Sequence, residues 1–198
     1  MTNNEEQQEE QATLNIKQKA MFILGNNYDK LDNETKESIN ILYESCVIKA
    51  LTKYRWGFSR RVDKLEGEEL NNNDNNNKYK YSFILPNNFL TLINIYNDKQ
   101  ETNINNDYNL IDKLYTNNKT IYIKYIKRIN TYLFPSTFTE YLIYELASEL
   151  CYNLTGDYNL LQILEQKKRE KYEIATNIDA RQRRPYVPLY NPFSEVRG

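Results

Sequence analysis

Three carboxylates, Glu140, Glu145 and Glu149, fall within the single segment FTEYLIYELASELC. Paired carboxylates at such spacing can divide acid and base roles, as in glycoside hydrolysis. Here they lie away from the main apolar stripe of the helix that carries them, so they are expected to form a solvated face. The chain has no histidine, which removes the commonest general base and metal ligand together. Cys46 therefore has no imidazole to activate it, and with Cys151 it makes neither a disulfide scaffold nor a zinc site; both are expected as buried small hydrophobes. The five glycines are scattered at positions 25, 57, 67, 156 and 198, so no phosphate-cradling loop can be drawn. No catalytic residue, metal site or cofactor is assigned, and the chain is read as a non-enzyme.

Two stretches carry recognition chemistry instead. YIKYIKR, residues 122–128, mixes aromatics with Lys124, Lys127 and Arg128, as a nucleic-acid stacking platform would. Strand alternation gives another reading, with Tyr122 and Lys124 on a solvated face and Ile121, Ile123 and Tyr125 inside. The second stretch is the C-terminal RQRRPYVPLYNPFSEVRG, which holds three of the five prolines and has neither helical nor strand period. Its apolar side chains read as an extended arm, 181–198, that docks on a partner. Tyr186, Val187, Leu189, Tyr190 and Phe193 would fill grooves, and Arg183 and Arg184 would pair acidic groups at the rim.

The chain length of 198 residues suits one domain with a sizeable core, burying roughly 70% of its unfolded surface. Net charge is -1, which gives no long-range attraction to nucleic acid or to an anionic membrane. The charge is nevertheless polarised, with Glu5, Glu6, Glu9 and Glu10 near one end and Arg181, Arg183, Arg184 and Arg197 near the other. No apolar run approaches the ~20 residues of a membrane span, and the acidic start is unlike a signal peptide, so a soluble intracellular protein without a membrane partner is expected.

The hydrophobic pattern places helices around a β-rich middle. Residues 1–11 read as disordered, followed by a helix from about Ala12 to Leu24 closed by a left-handed Gly25. A second helix, capped by Asp32 or Asn33, carries Ile39, Leu42, Tyr43, Cys46, Ala50, Leu51 and Tyr54 and stops near Gly57. Residues 66–78 read as an exposed Asn-rich loop. KYKYSFILP alternates as a strand, FLTLINIYND as a second with Leu90, Leu92 and Asn94 opposite Thr91, Ile93 and Ile95, and Asn117-Asn118 is placed at a hairpin turn. Ser136 caps a helix ending at Gly156, and Asp157 caps a last long one. The expected class is α+β: a helical bundle from 12–65 and 130–180, with an inserted antiparallel β-lobe over 66–129.

In their order, these segments resemble the head-to-tail adaptor proteins of tailed bacteriophages, the group that includes tail tubular protein A of short-tailed phages and related head-completion adaptors. The resemblance rests on ILYESCVIKALTKYRWGF with its Trp56-x-Phe58 end, YKYSFILPNNFLTLINIY, KTIYIKYIKRI, and FPSTFTEYLIYELASELCYNLTGDYNLLQIL followed by a helix ending in ATNIDARQ. These cover residues 12–182. The resemblance implies a homo-oligomeric ring, commonly of twelve copies, beneath the portal protein. Such a ring contacts the next tail or nozzle component and leaves a channel through which DNA passes without tight binding, so the implied location is the head-tail junction of the virion. The Asn-rich loop and the arm beyond Arg184 match nothing in that pattern. The alternative is a small nucleic-acid-binding module using residues 122–128 and the Arg-rich tail. An interaction domain of unrelated cellular origin is a third reading.

Overall fold

The computed structural model describes residues 3–70 and 78–182, and the fold is mixed α+β. Helix α1 spans Asn3–Ile23 and α2 spans Asn33–Lys53. Seven strands follow: β1 Arg60–Glu66, β2 Glu68–Glu69, β3 Tyr81–Phe83, β4 Phe89–Tyr96, β5 Tyr108–Leu110, β6 Leu114–Thr116 and β7 Thr120–Lys127. Helices α3, Ser136–Thr155, and α4, Tyr158–Gln182, complete the described chain. Among the described residues no helix is long and apolar enough to cross a membrane.

The first helix begins nine residues earlier than expected. Asn3 to Gln11 are helical rather than disordered, because Glu and Gln are good helix formers and Glu5 and Glu6 sit at the positive end of the helix dipole. Tertiary contacts hold the extension: the Glu9 carboxylate accepts a hydrogen bond from the Tyr132 backbone N–H at 3.3 Å and lies 3.9 Å from the Arg128 guanidinium. Gly25 closes the helix at φ +73°, in the left-handed region as expected. Asp32 caps α2 by accepting from the Thr35 N–H at 2.8 Å. Ser136 is not a cap. It is the first residue of α3, preceded by Pro135, whose fixed φ suits a helix entry but whose side chain accepts no hydrogen bond. Gly156 ends α3 at φ +64°, and Asp157 then accepts from the N–H groups of Asn159 and Leu160 at the start of α4.

The β region is two antiparallel sheets rather than one, and it starts at Arg60 rather than 66. One sheet has the order β1-β7-β4 and the other β2-β3-β6-β5. Asn117-Asn118 is accordingly not a hairpin turn: β6 pairs with β3 and β5, while β7 pairs with β1 and β4, so these asparagines carry the chain from one sheet to the other. Their side chains secure that crossing, with Asn117 Oδ1 accepting from the Lys80 N–H and Asn118 Nδ2 donating to Asn97. Gly67 makes the reverse crossing between β1 and β2. A Cβ there would lie 2.7 Å from the buried Phe83 ring and 2.8 Å from Tyr81 Cβ, so only glycine allows this approach. The 66–69 part of the expected loop is thus strand and crossing, and its 71–77 part lies outside the described residues.

The inner face of β7 is the predicted one, with Ile121, Ile123 and Tyr125 buried and Tyr122 and Lys124 half-buried. In β4 the expected alternation fails. Register shifts between Phe89 and Thr91 and between Leu92 and Asn94 each insert a residue opposite β7. Phe89, Leu92 and Ile95 therefore share the face packed on Phe83 and Leu114, while the bulged Leu90 and Ile93 turn to the helical core. The three-stranded sheet thereby carries apolar residues to both cores.

Helix α3 is the hub, with α1, α2 and α4 packed around it. At one end of this core Trp56 is fully buried. Its ring centroid lies 4.9 Å from those of Tyr54 and Phe138, and Nε1–H donates to the Ala50 carbonyl at 2.8 Å. The next N–H, of Gly57, donates to the buried Asp179 carboxylate of α4 at 2.8 Å. The link between α2 and β1 is thus fastened to the last helix.

Candidate functional site

Glu140, Glu145 and Glu149 do not share an environment. Glu140 is half exposed and meets Lys171 of α4 at 2.7 Å; Glu149 meets Lys49 of α2 at 2.6 Å. Glu145 is buried, which corrects the expectation of a solvated face. A helix surrounded by three others offers no water on that side.

Burial of a carboxylate is tolerable only with counter-charges and donors. Glu145 has both: Tyr141 donates its hydroxyl to Oε2 at 3.0 Å, Lys168 of α4 lies 4.0 Å from the same oxygen, and Lys49 Nζ approaches Oε1 at 2.6 Å. The Lys49 contact is ionic without hydrogen-bond geometry, leaving Oε1 without a directed donor. Burial works to raise the Glu145 pKa, but the two lysines and the tyrosine outweigh it and hold the carboxyl below its ordinary range. The same contacts raise Lys49, whereas burial pushes the Cys46 thiol up to about 12. Such a thiol is inert at neutral pH. The cluster ties α2, α3 and α4 together by charge. Among the described residues no group of His, Cys, Asp and Glu could hold a metal ion.

Since the Glu145 carboxyl titrates lower in the folded chain than the ~4.3 of an unfolded glutamate, its contribution is complete above that value and fades as pH falls through the folded pKa. Glu145→Gln, which keeps the size, should therefore cost roughly 2 kcal/mol at neutral pH, with the deficit shrinking at a second, acidic pH that protonates the wild-type carboxyl. Urea melts at the two pH values read this directly, and a deficit unchanged between them would contradict the assignment.

The candidate nucleic-acid strand is also internally satisfied. Lys124 is paired with Glu101 and lies over the Tyr96 ring. Arg128 reaches Glu44 at 3.2 Å and Glu9 at 3.9 Å. Tyr125 is buried and donates its hydroxyl to Asp63, so it offers no stacking face. Lys127 forms no ion pair among the described residues. Arg183, Arg184, Tyr186, Val187, Leu189, Tyr190 and Phe193 lie outside the described residues; α4 runs to Gln182, so Arg181 and Gln182 are helical rather than part of an arm.

A groove of about 890 Å³ is bounded by α1, the turn at Tyr28–Lys30, α3 and α4. Phe22, Ile143 and Tyr144 give it apolar surface, Asn15 and Asn27 supply amides, and Lys19 and Lys171 supply cations. Phe22 is 81% exposed, the highest among the exposed large hydrophobic residues described. Periodicity could not reveal this groove, because it is made where three helices fail to close. The chain matches no protein-family model and no curated protein.

Proposed function

We propose that this chain is a structural virion protein, a head-to-tail adaptor whose copies form a connector ring under the portal protein, join capsid to tail and line part of the DNA channel. Its arrangement in this reading is a bundle of about four helices with an inserted β-lobe and an extended C-terminal arm. The observation that carries it is the order and separation of the quoted segments over residues 12–182. The geometry is compatible: the buried charges serve to clamp helices, and the groove between α1, α3 and α4 has a mixed apolar and amide lining that suits a docked peptide segment. The arm, with Arg183, Arg184, Tyr186, Val187, Leu189, Tyr190 and Phe193, reaches an adjacent protein.

The pairing of Lys124 and Arg128 within the chain weighs against the nucleic-acid alternative, since a DNA-binding module needs cations free to replace counterions. A channel lining that lets DNA pass has the opposite requirement. Immunogold labelling of the purified virions should place the antibody at the head-tail junction. Labelling confined to infected-cell lysate, with virions unlabelled, would overturn the reading.

A further inference from the structure

We infer that in the free chain, before any partner is bound, the C-terminal segment 183–198 folds back and occupies the groove of its own chain, a contact that does not depend on the adaptor reading. The geometry begins at Gln182, where α4 ends against Pro135 and Thr137. Beside that point a smaller depression of about 210 Å³ is lined by Phe134, Thr139, Asn15 and Lys19, and the last two also line the main groove. The smaller depression thus adjoins the main groove along α1, and its Phe134 directly precedes the Pro135 that lies near Gln182.

Reach is ample. Lys171, at the groove, precedes Gln182 by eleven helical residues, about 16 Å. Sixteen extended residues at ~3.1 Å each span about 50 Å. The chemistry also matches. A segment containing Pro185, Pro188 and Pro192 presents carbonyls at those positions without N–H groups, so it needs a donor-rich surface. The groove supplies one: Asn15 uses its Oδ1 to accept from Gln11 and Asn27 uses its Oδ1 to accept from Asp29, which leaves both Nδ2 groups without a partner among the described residues. Lys19 likewise makes no ion pair among them. Phe22 and Tyr144 offer apolar faces for Tyr186, Tyr190 or Phe193. Tethering raises the effective concentration of the segment to the millimolar range, so weak intrinsic affinity suffices.

The test uses the full chain with Tyr190 replaced by photoreactive p-benzoylphenylalanine, prepared as an equal mixture of nitrogen-14 and nitrogen-15 protein. Irradiation followed by mass spectrometry should give adducts to peptides from 12–29 or 140–144, carrying one isotope only. Adding Phe22→Gln should lower their yield at least fivefold; because Phe22 is so exposed, the far-ultraviolet circular dichroism should not change. Mixed-isotope adducts, adducts elsewhere, no adducts, or a yield unaffected by Phe22→Gln would each overturn the inference.

Discussion

Trp56→Ala should destabilise the chain by about 3–5 kcal/mol, a large share of the ~5–15 kcal/mol that holds a domain together. The ring is fully buried among Tyr54, Phe58, Phe138, Tyr141 and Tyr172, so its removal opens a cavity that five other aromatic rings are too rigidly placed to fill. The Ala50 carbonyl at the end of α2 also loses its Nε1–H donor. The melting temperature should fall by roughly 10 °C or more, as read by circular dichroism. Trp56→Phe, which retains most of the volume but not the donor, should cost less than half as much. Trp56 is the sole tryptophan, so the wild-type emission should be blue-shifted and move to the red on unfolding. A red-shifted native spectrum, or an alanine variant of unchanged stability, would refute this packing.

Deleting residues 185–198 should have the opposite profile, with little change in stability and complete loss of incorporation into the head-tail junction. The cut falls beyond Gln182, so it retains every described residue of both core clusters. The binding contribution, by contrast, is concentrated in the aromatic and aliphatic anchors of the arm, and anchors of this kind dominate interface energetics. Complementation with the truncated gene, followed by immunoblotting of purified particles, measures the outcome. Normal incorporation would remove the arm from the adaptor account.

What was legible in the sequence follows from how locally each feature is determined. The helix ends at Gly25 and Gly156 and the cap at Asp32 depend on residues within one turn, and all three appear as expected. The buried cysteines and the inner face of β7 follow from clear apolar spacing. Strand β1 leaves little trace in the sequence because Arg60, Arg61, Asp63, Lys64 and Glu66 mask it: it is an edge strand, largely exposed, paired with β7 on one side. The bulges of β4 break the period of two at positions that only its partner strand specifies.

Glu145 shows the same limit at the candidate site. Its burial depends on α2 and α4 arriving from distant parts of the chain with Lys49 and Lys168, which no spacing along α3 specifies. The available signal was its position four residues after Tyr141, on a segment where few other charges occur. The groove left no signal of its own beyond Phe22 directly before the helix end, an apolar residue with no role in the core.

The adaptor account is tested most directly by mass photometry of the purified chain alone and after mixing with the cognate portal protein. The account predicts a monomeric or heterogeneous population alone and a discrete portal-bound assembly after mixing, whose added mass corresponds to a closed ring of copies. A chain that remains monomeric beside an unaltered portal peak would contradict it.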